Sequence, residues 1–292
     1  MSGIERLGTW PSRLLWILLA PLVAGPVGAA LDGRSGPVAA VVLVGLWLGW
    51  AVGLGALLVP RSSALTTLRL VVPGGLAAVL AALAAGAPVD ATAVAAVVVA
   101  SLAALSVLTP WVGEAFVDGS SYGPEHRLPL RLPALFSLLV VPATWLLAAA
   151  GIVAGPLLLA ARAWLPGVVA LVAGWLLAVG CVRSLHQLTR RWVVLVPTGL
   201  VLHDALAMPE PQLFLRTSIR RLGPALAGSE ARDLTSGAPG LALQLDLDEP
   251  VDLLVRVGGR RTETVAETSI LFTPSRPRRL LDAAAKRRIP LG

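Results

Sequence analysis

Up to Val182 the chain runs in long apolar stretches, and beyond it apolar and polar residues begin to alternate. A bilayer core of about 30 Å takes roughly 20 apolar residues in a helix that rises 1.5 Å per residue. Six stretches come close: 14–31, 37–59, 70–86, 89–109, 134–153 and 165–182. They predict six membrane-spanning helices. The third is short, and 134–161 reads either as one long tilted helix or as a helix followed by a re-entrant turn.

Alternation after Val182 predicts strands with one buried face. Leu241, Leu243, Leu245 and Leu247 fall on one side, with Gln244, Asp246 and Asp248 on the other. Asp248-Glu249-Pro250 interrupts the run, and a second strand follows with Val251, Leu253, Val255 and Val257. Gly258-Gly259-Arg260-Arg261 reads as a turn into a third strand, Thr262–Phe272. Earlier, Pro197-Thr198-Gly199 separates Trp192–Val196 from 200–203, another hairpin signal. A closing helix is expected, with Thr273 as cap, Pro274 in its first turn and Leu281, Ala285 and Ile289 as its buried stripe. The expected organisation is a cytoplasmic N-terminus over 1–13, a membrane domain over 14–183 and a β domain over 184–292.

Composition agrees with this division. Only 14% of the 292 residues are charged, against roughly 25% in soluble domains, and mean hydropathy is +0.78. Of the 24 basic residues, 16 lie from Arg183 onward, beside 11 of the 17 acids, so most of the net charge of +7 sits in the last third. Short cytoplasmic loops are enriched in Lys and Arg. Arg6 and Arg13, Arg61 and Arg69, Arg127 and Arg131, and the basic tail alternate with segments holding only Arg34 or Arg162. Both termini are therefore expected in the cytoplasm. A cleaved leader is the rival reading of the first stretch, since Arg6 and Arg13 precede it and Gly28-Ala29-Ala30 stands at its end, but 18 apolar residues exceed the 7–15 of such a region. One Lys among 24 basic residues, with abundant Ala, Gly, Val and Pro, points to GC-rich bacterial coding and a bacterial plasma membrane.

The stretch Arg191-Trp192-Val193-Val194-Leu195-Val196-Pro197-Thr198-Gly199-Leu200 and the stretch from Phe214 to Leu222 follow a strand, turn and strand order that closes with one helix. In this the last third resembles the bacterial pleckstrin-homology-like (PH-like) domains, and the membrane part is similar to polytopic membrane proteins of actinobacteria. The resemblance implies a split barrel capped by a helix, used to bind proteins or lipids without catalysis. The polar insertion over 227–240 departs from the simplest form of that pattern.

Function is less legible. An ionisable residue deep in a bilayer is costly and marks ion or proton pathways. Arg69, Asp90 and Arg162 fall at the edges of the predicted spans, which argues against proton-coupled transport. Gly45, Gly49 and Gly53 recur every four residues and would let another helix approach, within the bundle or across a homodimer seam. Val23-Ala24-Gly25-Pro26 recurs as Val153-Ala154-Gly155-Pro156, by chance or as a parallel repeat. The 110–133 segment, with Glu114, Asp118, Tyr122, Glu125 and His126, reads as a solvated interfacial loop with a binding or catalytic site as the alternative. Cys181 sits alone in an apolar run, and His186 and His203 are isolated. No metal-ligand spacing, catalytic motif or cofactor signature is evident. The pI of about 11.2 comes without a groove-reading motif, so an anionic membrane is the expected partner rather than nucleic acid. Arg190, Arg191, Arg216, Arg220, Arg221, Arg260, Arg261, Arg278 and Arg279 are the candidate lipid- or partner-binding residues. The leading expectation is a non-catalytic membrane protein anchoring a PH-like domain that recruits a membrane or cytoplasmic protein or senses anionic lipid headgroups. A transporter or lipid-handling protein without proton coupling comes next, and a membrane-embedded enzyme third.

Overall fold

A computed structural model describes residues 8–258 and 261–292. The chain forms two compact units: one from the residues up to Phe116 together with Pro142–His186, the other from Val117–Val141 with Gln187–Gly292.

The first unit is helical. Its long helices are α1 (Trp10–Leu31), α2 (Gly36–Leu58), α3 (Ser62–Ala84), α4 (Ala91–Leu108), α6 (Val141–Ala160) and α7 (Trp164–Thr189), with the short α5 (Pro110–Asp118) after α4. A π-helical turn, Phe136–Val140, runs into α6, making one continuous span of 25 residues, so no re-entrant turn forms. All six long helices are long and apolar enough to cross a membrane, and in each the most apolar stretch is only 11–33% buried.

The interior combines bulky residues of α1 to α3, among them Trp16, Leu19, Leu57, Leu65 and Leu68, with small ones that allow close approach. In α4 the buried residues are Ala93, Ala96, Ala100, Ala103, Ala104 and Val107, a helical stripe of mostly small side chains. Gly53 lies against the ring of Trp16, and Gly75 against Leu19. Between α6 and α7, Gly151 meets the backbone of Gly174 and Gly155 that of Leu171, so that a Cβ at either glycine would collide. Gly25, its counterpart in the recurring four-residue segment, has only ordinary contact with Thr92, so the two copies are packed differently.

Polar groups within the spans are satisfied on neighbouring helices, as a medium without water requires. Trp16 Nε1 donates to the carbonyl of Trp50 at 3.0 Å, and Trp50 Nε1 donates back to that of Trp16 at 3.2 Å. Trp145 Nε1 donates to Leu70 O at 2.8 Å. Arg13 of α1 donates through Nε and Nη2 to Leu57 O, near the C-terminal end of α2. In the same way Arg69 of α3 donates to Val107 O near the end of α4, at 3.4 Å. A cation suits the negative end of a helix dipole. Arg69 was expected at a span edge, but α3 begins at Ser62 and holds it two turns in, with its long side chain directed to the carbonyl of Val107.

The second unit has two four-stranded sheets. In the first, β1 (His126–Pro129), β2 (Trp192–Val196), β3 (Gly199–His203) and β4 (Gln212–Leu215) lie in that order, all antiparallel. In the second the order is β5 (Ile219–Pro224), β7 (Leu243–Arg256), β8 (Thr262–Phe272) and β6 (Arg232–Asp233), with β6 parallel to β8. No closed barrel forms among the described residues. The inward residues of both sheets, including Leu195, Leu200, Phe214, Leu245, Ile270 and Phe272, make one core.

Several local expectations are corrected. The 110–133 segment is no solvated loop: its first part is α5, and His126–Pro129 joins the first sheet beside β2. Asp248-Glu249-Pro250 does not divide two strands. β7 is continuous, and between Asp246 and Val251 it advances five residues while β8 advances two, from Ser269 to Glu267, a bulge that accommodates Pro250. The 227–240 insertion contributes the short β6.

The last helix, α8 (Pro277–Lys286), starts later than Thr273 suggested, with Arg276 at its N-cap and Pro277 in its first turn. Thr273 O instead accepts from Arg131 N, extending the pairing of chain beside β1. The buried face of α8 is Leu280, Ala283 and Ala284, while Leu281 is half-buried and Ala285 exposed. Ile289 is buried but lies beyond the helix, outside its period.

Candidate functional site

Buried polar chemistry in the β unit is spent on structure. Arg191, a surface candidate from sequence, is 2% exposed and forks onto Asp204, itself 2% exposed, with Nε–Oδ1 at 2.6 Å and Nη2–Oδ2 at 2.7 Å. Its Nη1 donates to Arg131 O, and Asp204 Oδ1 also accepts from Leu206 N. Both carboxylate oxygens and three guanidinium nitrogens are engaged, so Arg191 is not available to a headgroup. The pairing follows from the β2–β3 hairpin, in which Trp192 lies opposite His203, the neighbours of the two ion-pair residues.

Trp192 also stacks on His203 at 5.1 Å, and the Arg127 guanidinium lies 5.7 Å from the centroid of the Trp192 ring. His203 Nδ1 donates to Arg190 O at 2.6 Å. The acids of the 110–133 segment fold it into a compact turn. Asp118 Oδ1 accepts from Ser121 Oγ and from Arg127 N, both at 2.9 Å, and Glu125 pairs with Arg127 at 3.1 Å. Tyr122 is exposed, whereas Glu114 on α5 is only 6% exposed. Among the described residues no three His, Cys, Asp or Glu side chains converge as a metal site would need.

The other candidate arginines do not form one patch. Arg190, Arg216, Arg220, Arg261 and Arg278 are exposed, and Arg221 and Arg279 are half-buried. Arg260 lies outside the described residues. Arg261 sits at the β7–β8 turn, and Arg278 and Arg279 in the first turn of α8.

A smaller group does come together. Leu222 N donates to Pro290 O, Gly292 N donates to Leu222 O, and Leu222 and Leu291 form a parallel bridge, so the segment after α8 lies along β5. Arg216 Nη1 donates to Arg287 O at 3.4 Å, and the Arg221 side chain lies against Gly292. Arg287 Nη2 donates to Pro124 O at 2.6 Å. Arg216 and Arg221 thus lie beside the segment that follows Lys286, Arg287 and Arg288, three cations that the sequence had placed only in a general basic tail.

In the helical unit, Gly45 and Gly49 line an apolar groove of about 300 Å³ among α1, α2, α3 and α6, with Trp16, Trp47, Trp50 and Trp145 among its walls. Gly53 packs on Trp16, but a Cβ at Gly45 would meet nothing within 4 Å and one at Gly49 only Val71, at 3.9 Å.

Six apolar spans in one unit and a β unit assembled from two separate stretches of chain define a multi-pass integral membrane protein with a folded polar part. Comparison of the chain with protein-family models, with curated proteins and with solved structures finds no match in any of the three.

Proposed function

We propose that this is a non-catalytic protein of a bacterial plasma membrane whose helical unit anchors a PH-like β unit, and that the β unit binds anionic headgroups of the cytoplasmic leaflet. The observation that carries this reading is the joining of two acid-free cationic segments. Between Glu210 and Glu230 the only charged residues are Arg216, Arg220 and Arg221, and beyond Asp282 they are Lys286, Arg287 and Arg288. The Leu222–Leu291 bridge and the Arg216–Arg287 hydrogen bond draw the two together. Near an anionic leaflet each cation is worth about 1 kcal/mol before screening. A helix closing a β unit is also part of what the PH-like resemblance calls for.

The cytoplasmic side is favoured by Arg13, Arg61, Arg127 and Arg131, set against Arg34 and Arg162 on the alternate connections. A reporter fused after Gly86 is expected to be external; a cytoplasmic one would reverse the assignment.

The headgroup reading is tested with the full-length protein in nanodiscs of phosphatidylcholine, with and without phosphatidylglycerol. Backbone amides of 216–222 and 286–292 should exchange more slowly in the anionic bilayer, and raising the salt should erase the difference. Replacing Arg216, Arg220 and Arg288 by Glu should have the same effect as salt. Equal exchange in the two bilayers would sink lipid binding and leave this surface to a protein partner.

A further inference from the structure

The apolar groove of the helical unit is carried by a different observation from the basic surface and does not depend on the role proposed for it. We propose that the groove is a binding site for one hydrocarbon chain of a bilayer lipid.

Three glycines hold it open. Gly45 and Gly74 have nothing within 4 Å of where a Cβ would stand, and Gly49 has a single contact at 3.9 Å. Gly75 on the same wall is filled against by Leu19, and elsewhere in the unit Gly53, Gly151 and Gly155 are filled against by a ring or a backbone. The spacing of Gly45, Gly49 and Gly53 therefore serves two ends: the last closes a helix contact, and the first two leave room.

The chemistry of the walls decides what enters. The lining is apolar throughout, and the indole N–H groups of Trp16, Trp50 and Trp145 already donate to backbone carbonyls. A polar ligand would leave its own groups unpaired there, which disfavours its entry. The lining residues belong to the central turns of their helices, 16–27 of α1, 43–50 of α2, 70–75 of α3 and 145–153 of α6. At the middle of a span the surrounding medium is acyl chain rather than headgroup or water. Leu43, Trp47, Ile152 and Val153 on its rim are exposed, so the groove is continuous with the lipid-facing surface.

The other apolar occupant is a helix of a second copy; an acyl chain needs no partner protein and already stands at the exposed rim of Leu43, Trp47, Ile152 and Val153.

The test uses the full-length protein in phosphatidylcholine vesicles doped with a phospholipid whose acyl chain carries a mid-chain diazirine. After illumination, adducts on 43–50 and 145–153 should exceed several-fold those on Val168 and Val172 of α7, which are exposed in the open. Gly45→Leu and Gly74→Leu place side chains in the groove from positions where a Cβ meets nothing within 4 Å, and should each cut the groove adducts several-fold while leaving those on α7 unchanged. Even labelling along all exposed helix faces would overturn the proposal, as would adducts that persist in both variants. Covalent pairs of protein chains joined through these residues, in place of lipid adducts, would assign the groove to a second copy and overturn it as well. Should the leucine variants fail to insert, the contrast between the groove and α7 in the unaltered protein decides alone.

Discussion

In α4 the buried residues are five alanines and Val107, and Val94, Val98, Leu102, Leu105 and Leu108 are exposed; in β7 the buried ones are Leu243, Leu245, Leu247, Leu253 and Val255 with Asp246, and Asp248, Glu249 and Asp252 are exposed. What goes inside is reversed between these two elements, although α1 and α3 of the helical unit also bury Trp16, Leu19, Leu65 and Leu68. Water rewards the burial of leucine at roughly 25 cal/mol per Å². Lipid offers no such reward, because its chains are as apolar as leucine, and helices there are held by close approach and interhelical hydrogen bonds. Hence the glycine and alanine contacts and indole-to-carbonyl bonds of one unit, and the leucine and phenylalanine core of the other. Charge follows the same division. Arg13 and Arg69 reach helix-end carbonyls, while Arg191 is enclosed by a carboxylate in the β unit.

The contrast can be broken in order of expected size. Asp204→Ala leaves Arg191 buried without its partner and should cost about 3–5 kcal/mol, read as a lowered denaturant midpoint for exchange in β2 and β3. Replacing the pair together, Arg191→Met with Asp204→Leu, should recover most of that loss. A harmless Asp204→Ala would show that the pair does not hold the hairpin.

Leu195→Ala in the β core should cost about 2–5 kcal/mol. The same change at Leu176, 71% exposed on α7, should stay within about 0.5 kcal/mol. Equal losses at the two leucines would dissolve the distinction between the units.

Gly151→Val drives a side chain into the carbonyl of Gly174 and should cost about 1–3 kcal/mol in the thermal stability of the protein in detergent. Gly180→Ala on α7, where nothing lies within 4 Å, should be silent. Smallest of all, Trp145→Phe removes the bond to Leu70 O and should cost about 0.6 kcal/mol by the same measurement, against no change if packing alone holds α6 to α3.

Much of the fold is visible in the pattern of the chain. The six spans need only the length of each apolar run, and the β2–β3 turn at Pro197-Thr198-Gly199 is local chemistry. β1 was not visible, because four residues ending in Pro129 carry no strand signal until β2 lies beside them. The phase of α8 was misread by one residue because Ile289, which lies beyond the helix and is buried in the β core, was counted into the helical stripe. Of the candidate site, the abundance of arginine was plain. That Arg191 is enclosed was not, since its partner lies 13 residues away across a hairpin.

The sequence by itself determined the number of spans, the alternating strands and the concentration of positive charge in the last third. Each depends on the free energy of transferring a contiguous stretch between water and lipid, or on a turn a few residues long. Only the tertiary structure decided that His126–Pro129 completes a sheet with strands more than 60 residues on, and that two acid-free cationic segments meet along β5. It also decided that Gly53 closes a contact while Gly45 and Gly49 open a groove. These outcomes rest on which distant residues become neighbours, and a residue's type and spacing do not specify what will stand opposite it.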